Sequence, residues 1–297
     1  MSLVETLTLT ASDLERCLSP AECRGAVERA FALLARRQVP AARALGFAAP
    51  GGTFPATVAL YDAGRPRFVA KINANSPGNP SASGLPTIQG TIVLADAANG
   101  TPLAIMDSGS VTALRTGAAT AVAAKFLARP DAHTATIVGC GVQGEVQLAA
   151  IATVLPLRRI MLVDIAHARA EDLAARASAK HGLRVEPIKD LRAALQDSDV
   201  CVTCTTSRRA FLEASDITPG TFIAAVGADN PEKQELEPSL LASATLVVDV
   251  LDQCAEIGEL HHALARGVLT RDRVHAELAD VVVGRRPGRT RPDEITI

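Results

Sequence analysis

The sequence predicts an α/β protein in two parts: a doubly wound parallel sheet in the second part and an α+β domain before it. Three observations predict this. From His133 onward, short β-branched apolar runs alternate with helical ones, the rhythm of a parallel sheet covered by helices on both faces. The turn Gly139-Cys140-Gly141-Val142-Gln143-Gly144 lies between the strand-like ATIV and the helical EVQLAAIATVL. Before residue 130, β-type runs are instead punctuated by Gly, Pro, Asn and Ser, with helical stretches on either side.

Residues 11–37 read as a helix with Ser12 as cap and Leu14, Ala21, Ala26, Ala30, Leu33 and Leu34 along one side. Strands are expected at Thr57–Tyr61, Arg67–Ile72, Gly90–Asp96 and Pro102–Asp107, in a mixed or antiparallel sheet, with a long loop over 75–86. Residues 111–128 form a helix so rich in small side chains that another element should pack closely on it; Pro130 ends it. In the second part, strands are expected at Ala135–Val138, Arg159–Val163, Val200–Thr203, Phe222–Val226 and Leu246–Val250, with helices running to about Leu155 and over 166–181. The domains are set at 1–130 and 131–285, with the tail 286–297 joining the first. The basic stretch Arg285–Arg291 reads as a solvated loop.

Composition excludes several function classes. A chain of 297 residues with 48% hydrophobic and 21% charged residues is an ordinary globule, long enough to bury roughly three quarters of its unfolded surface without disulfides or metal. Aromatics are only 3%, with no Trp, so a base-stacking surface is not available, and a net charge of −2 offers no basic field for nucleic acid or membrane. No apolar run reaches the ~20 residues of a membrane span. The first residues carry Glu5, Asp13 and Glu15 and do not read as a signal peptide. Six cysteines in a chain this long are not a disulfide framework, and a reducing cytoplasm is the expected setting.

The glycine turn carries the most specific local chemistry. Gly139 permits the tight turn, Gly141 allows a pyrophosphate to approach the backbone, and Gly144 allows helix and strand to pack closely, as in a Rossmann-type dinucleotide site. The following helix offers free N–H groups and its positive dipole end. Asp164 stands 20 residues beyond Gly144, where an acid binds the ribose 2′-hydroxyl. That favours NAD over NADP, moderated by the nearby Arg158, Arg159 and Arg169.

Other motifs do not reach a chemistry. Cys201 and Cys204 are spaced C-x-x-C but lie on a β-type run, where residues three apart point to opposite faces. His261 and His262 are adjacent and diverge on a helix, so no metal site is expected. Cys140 shapes the phosphate loop, and no serine-nucleophile signature is present.

The stretches VAKINANSPGNP (69–80), GTPLAIMDSGSVTALRTGAAT (100–120), IVGCGVQGEVQL (137–148), VGADNPEKQEL (226–236) and ELADVVVGRRPGRT (277–290) resemble the ornithine cyclodeaminase/mu-crystallin family in order along most of the chain. The resemblance implies an N-terminal substrate-binding and dimerisation domain, a Rossmann domain, a homodimer, and NAD(P)-linked chemistry at the α-carbon of an amino or imino acid. Its main implied reaction is ornithine to proline plus ammonia with internal recycling of the cofactor. Alternatives are a ketimine or imino-acid reductase, an alanine-type amino-acid dehydrogenase, or a non-catalytic small-ligand binder.

Residue by residue, Lys71 resembles the family's active-site lysine, Arg43 and Arg115 its carboxylate-binding arginines, and Asp229 its general acid/base. Thr87, Arg115, Thr116, Gly139, Gly141, Val142, Gln143, Gly144, Asp164, Thr205, Val226 and Lys233 fall where the family holds the dinucleotide. Without the resemblance, Lys71 reads as a solvent-facing lysine and Asp229 as a turn residue. A cationic cluster should lower the pKa of Lys71, leaving it able to take a proton from a substrate ammonium.

Two features depart from the family. The strand Ala56–Tyr61 lacks the acid that ornithine-cyclising members carry for the side-chain ammonium. The resemblance also implies a Phe/Ser/Gly-containing segment and a closing helix beyond Ile297.

Overall fold

The computed structural model describes residues 5–40, 42–62, 64–76 and 78–297. Pro77, within the predicted loop, lies outside them. The chain divides into two compact units, Met1–Arg115 and Thr116–Ile297.

The first unit runs β1 (Leu7–Leu9), α1 (Ala11–Cys17), α2 (Pro20–Ala35), β2 (Arg43–Ala49), β3 (Gly52–Tyr61), β4 (Arg67–Asn75), α3 (Asn79–Ala82), β5 (Ile88–Asp96), β6 (Pro102–Asp107) and the start of α4 (Ser108–Leu127). The helix expected over 11–37 is two helices. Pro20 cannot donate a backbone hydrogen bond, so the first helix stops and a new one starts with Pro20 in its first turn and Ser19 as cap. Thr10, not Ser12, caps α1, in a reciprocal box with Asp13. Leu14 is fully buried, whereas Ala21 and Ala26 are exposed.

The sheet is mixed, as predicted, in the order β1-β6-β5-β4-β3-β2; only β1 pairs in parallel. Strand register places Thr57, Lys71 and Ile92 side by side on one face. The other face carries Leu45, Phe47, Phe54, Leu60, Phe68 and Ile72, all exposed, with Phe47 directly opposite Phe54 and 62% accessible.

The second unit continues α4 and runs β7 (Thr134–Val138), α5 (Val142–Ile151), β8 (Arg159–Val163), α6 (His167–His181), β9 (Arg184–Pro187), α7 (Leu191–Gln196), β10 (Val200–Thr203), β11 (Phe222–Ala225), α8 (Pro238–Ser243), β12 (Val247–Val248), α9 (Leu251–Glu256), α10 (Glu259–Ala265), β13 (Ala276–Glu277) and α11 (Leu278–Val282). Its five-stranded sheet is parallel throughout, in the order β11-β10-β7-β8-β9. Both faces are buried: Ile137, Leu162 and Val202 pack with Leu148, Ile151 and Leu173, while Cys201 and Ile223 pack with Leu240 and Leu260. The chain crosses to opposite sides of β7 on its way to β8 and β10, creating a switch point beside β7, the position where parallel sheets of this kind bind ligands. The close packing expected on α4 is seen at Gly117, where an added Cβ would come within 2.8 Å of Val146 on α5.

Four further sequence expectations are corrected. Leu246–Val250 does not extend the parallel sheet; β12 pairs with β13 in a two-stranded sheet of its own. The unit boundary falls inside α4, after Arg115 and not near 130. The tail 286–297 belongs to the second unit, where Ile223 N–H donates to Thr296 O and Arg289 anchors the segment. Its guanidinium donates to Leu127 O, Glu294 O, Thr221 O and Thr296 Oγ1, so this part of the basic stretch is half-buried, not a solvated loop.

Candidate active site

In the first unit, Lys71 stands on β4 between Thr57 of β3 and Ile92 of β5. It lines an open cleft of about 210 Å³ with Thr57, Ala59, Val69, Ile92, Val111, Thr112 and Arg115. Strand alternation supplies Thr57, Ala59, Val69 and Lys71 from one sheet face. Helix α4 supplies Val111, Thr112 and Arg115, which share a helix face because residues three and four apart lie together. Burial lowers the Lys71 pKa from 10.5 to about 8, and the neighbouring Arg115 guanidinium adds to the effect. The direction agrees with the sequence expectation, but the larger cause is burial. No carboxylate lines the cleft among the described residues.

Arg43 is not brought to this cleft. It opens β2 opposite Val58, which pairs with Ala70, one position out of phase with the row holding Thr57 and Lys71. A one-residue offset in a strand turns a side chain to the opposite face, so Arg43 stands on the exposed apolar side. Thr87 lies just before β5, its carbonyl accepting from Ser76 N–H at 2.8 Å.

In the second unit, the glycine turn has the form the spacing demands. Gly139 has φ +102°, and an added Cβ there would lie 2.9 Å from Cys204 O and 3.2 Å from Thr205 Cγ2. A Cβ on Gly144 would collide with Gly139 O. Gly141 caps α5 without any side-chain hydrogen bond and has open space around it. The first N–H groups of a ten-residue helix therefore face an unobstructed backbone surface, which suits a pyrophosphate. Val142 is exposed beside this surface; Gln143 accepts from Gln147 Nε2 at 3.3 Å.

Asp164 follows β8 and braces the turn: its carboxylate accepts from Cys140 N–H and Ala166 N–H, each at 2.8 Å. Two of the carboxylate's roughly four lone-pair positions remain for ribose hydroxyls. Arg159 is committed elsewhere, to Glu186 at 2.8 Å and Asp197 at 3.3 Å. Of the three arginines weighed against the NAD preference, this one is therefore engaged away from the turn.

The stretch 226–236 follows β11. Asp229 is half exposed and forms an ion pair with Lys233 at 2.7 Å, so two predicted site residues meet directly. Lys233 O accepts from His262 Nε2 of α10 at 2.8 Å. Val226 N–H donates to Thr203 O, and Thr205 Oγ1 accepts from Ser207 N–H. The cysteines behave as expected: burial pushes the Cys140 thiol up to about 12, and Cys201 is fully buried with its thiol raised further. All six cysteines are free. Among the described residues no group of three or more His, Cys, Asp or Glu is placed to hold a metal, and no helix is long and apolar enough to cross a membrane.

Sequence reasoning missed Glu235. It is fully buried, and its carboxylate binds the chain beyond two strands of the parallel sheet. Its place in the EKQEL run was the signal available.

The family described as ornithine cyclodeaminase/mu-crystallin matches residues 4–297. The chain is 38% identical to an alanine dehydrogenase of Archaeoglobus fulgidus over 303 aligned positions, covering 99% of this chain and 89% of the relative. It superposes with a TM-score of 0.92 on the Delta(1)-pyrroline-2-carboxylate reductase of Thermococcus litoralis, a complex with NADH and L-proline, at 32% identity and covering 98% of this chain and 90% of that one. The iminosuccinate reductase of Paracoccus denitrificans, in complex with NAD+, gives a TM-score of 0.88 at 30% identity, with 98% and 89% covered. The chain belongs to the ornithine cyclodeaminase/mu-crystallin family.

Proposed function

We propose that this protein is an NAD-linked oxidoreductase that interconverts an L-amino acid with a small uncharged side chain and the corresponding imino acid. The single observation that carries the reading is the Lys71 cleft: a lysine with a pKa of about 8 beside Arg115, walled by Thr57, Ala59, Val69, Ile92 and Val111. Bound NAD supplies the two-electron chemistry, accepting the α-hydrogen with its electron pair or returning it.

The chain's residues do the rest. Arg115 holds the substrate carboxylate, since a guanidinium pairs bidentately and keeps its charge. Neutral Lys71 Nζ takes the proton from the substrate ammonium, freeing the nitrogen lone pair that must form the C=N bond. In the reductive direction, protonated Lys71 returns that proton to nitrogen. Asp229, paired with Lys233, handles protons as ammonia enters or leaves. The glycine turn, Val142, Gln143, Asp164, Thr87, Thr116, Thr205, Val226 and Lys233 are assigned to the dinucleotide, with NAD preferred to NADP.

The apolar wall argues against ornithine. Its side-chain ammonium would enter a low-dielectric cleft lined by Lys71 and Arg115, with no carboxylate among its described lining residues, at a cost of several kcal/mol. The relatives and neighbours named as alanine dehydrogenase, pyrroline-2-carboxylate reductase and iminosuccinate reductase support the oxidoreductase reading.

We also propose a homodimer through the exposed sheet face of the first unit. A continuous face bearing Leu45, Phe47, Phe54, Leu60, Phe68 and Ile72 is not left in water by a folded protein without a partner.

The test is absorbance at 340 nm with NAD and a panel of L-amino acids, run beside an ammonia assay. NADH accumulating with a small apolar amino acid, in step with ammonia, supports the reading; so does NADH consumption with a cyclic imine or with a 2-oxo acid plus ammonia. Ammonia and proline from ornithine with no net NADH would replace it by the cyclodeaminase. NADH binding without turnover of any substrate would replace it by a non-catalytic binder.

A further inference from the structure

We propose that Glu235 is a positioning residue, holding the coenzyme-side ends of two neighbouring strands in register through both oxygens of one buried carboxylate. Oε1 accepts from Thr205 N–H at 2.7 Å and Oε2 from Gly227 N–H at 2.9 Å. Each of these residues stands two positions beyond a strand end: Thr205 beyond β10, Gly227 beyond β11. The two strands are neighbours in the parallel sheet; past their ladder Val226 N–H and Gly227 N–H both reach Thr203 O, at 2.8 and 3.1 Å, and the Glu235 side chain ties Thr205 to this last backbone link.

What Glu235 holds is the machinery assigned above. Thr205 packs against the glycine turn, and Gly227 begins the stretch that carries Asp229 and Lys233. Gly227 itself is shaped to the clamp, because an added Cβ would come within 2.5 Å of the Glu235 carboxylate. A second carboxylate holds the first from behind: Glu259 of α10 accepts from Glu235 N–H at 2.7 Å and Leu236 N–H at 3.1 Å. His262, one helical turn on, grips Lys233 O.

The arrangement is expensive. Glu235 is 0% exposed, and the hydrogen bonds its carboxylate accepts among the described residues come from the backbone N–H groups of Thr205 and Gly227, with no cation among them. Burial pushes its carboxyl pKa up, and that of Glu259 to about 7. A well-packed apolar side chain would make a more stable core. A carboxylate gives what an apolar group cannot, two acceptors at fixed separation aimed at two N–H groups.

The inference rests on the reading of this edge as the NAD side and does not depend on which amino acid is the substrate. The test variant is Glu235→Gln, which keeps the volume and sets an amide N–H₂ against one backbone N–H. The comparator is Glu294→Gln, a second carboxylate in the same unit, which accepts from Arg291 N–H and Thr245 Oγ1 away from the glycine turn.

Both variants should lower the melting temperature. Only Glu235→Gln should weaken NADH binding, read by NADH fluorescence, at least tenfold, with faster amide exchange confined to the peptides containing Thr205 and Gly227. Glu294→Gln should keep NADH affinity within twofold. An NADH affinity within twofold of the parent in Glu235→Gln, measured where both are folded, overturns the proposal. If that variant does not fold, Glu259→Gln carries the test, since it loosens the Glu235 backbone and leaves the clamp carboxylate in place. A threefold or greater loss of NADH affinity supports the proposal, and unchanged affinity overturns it. A parent that binds NADH but turns over no substrate defeats the substrate reading alone.

Discussion

Replacing Lys71 by methionine should stabilise the protein at pH 7 while abolishing turnover. Burial and Arg115 bring the Lys71 pKa from 10.5 to about 8. At roughly 1.4 kcal/mol for each tenfold change in proton affinity, a drop of that size corresponds to ~3 kcal/mol. The side chain is only partly buried, so solvent screening reduces the real cost to ~1–2 kcal/mol. The folded state holds this proton less tightly than the unfolded chain. The cost is therefore full below pH 8, fades as pH rises from 8 to 10.5, and is nearly gone above that range. Methionine fills similar volume without the charge. Lys71→Met should gain ~1–2 kcal/mol at pH 7, a few degrees in melting temperature, and most of that gain should vanish by pH 10.5. Paired denaturant titrations at the two pH values read the difference directly, and any constant packing effect of methionine cancels between them. A gain that does not depend on pH would refute the reasoning, because it would mean that the buried ammonium carries no cost.

The rate of amino-acid oxidation should rise with pH through a midpoint near 8 as Lys71 loses its proton, and the reductive rate should fall over the same range. A kcat/KM profile without a group near 8 in either direction counts against Lys71 as the proton acceptor. Gly144→Ala should weaken NADH binding at least tenfold and cost stability, because its Cβ collides with Gly139 O. Gly141→Ala, with open space around it, should weaken NADH binding with little change in melting temperature; equal affinity would show that no pyrophosphate approaches there. Phe47→Glu combined with Phe54→Glu puts two carboxylates face to face on the apolar sheet side; if the proposed dimer forms through this face, sedimentation should show a dimer for the parent and a monomer for the variant, and a parent that sediments as a monomer overturns that proposal.

The parallel sheet was legible where strands are short, β-branched and bounded by turns: Arg159–Val163 and Val200–Thr203 match the structure residue for residue. The strands missed were β1, β2, β9 and the two-residue β13. β1 has three residues, β2 (RALGFAA) has no β-branched residue, and β9 (RVEP) carries two charges and a proline. These are stabilised by pairing with neighbours, and single-sequence propensity does not report pairing. The same limit explains Leu246–Val250, where the pattern gave a strand but could not name its partner. The glycine turn was legible because its chemistry is local, complete within six residues. The Lys71 cleft was not, because sheet register and a helix face bring together residues 44 positions apart in the chain.

Lys71 also shows where resemblance and physics part. The resemblance placed a cationic cluster around it and so gave the direction of the pKa shift, with repulsion from Arg43 and Arg115 as the reason. The structure turns Arg43 to the other face, and burial among Ala59, Val69 and Ile92 becomes the larger cause. The two causes answer differently to salt. Repulsion between partly exposed cations is screened within a Debye length of about 8 Å at physiological ionic strength and more tightly above it, whereas desolvation by apolar walls is not screened. A lysine activated by its neighbours' charge would regain its proton in concentrated salt. One activated by an apolar cleft keeps its lowered pKa, and the same walls that lower it decide which side chain the substrate can have.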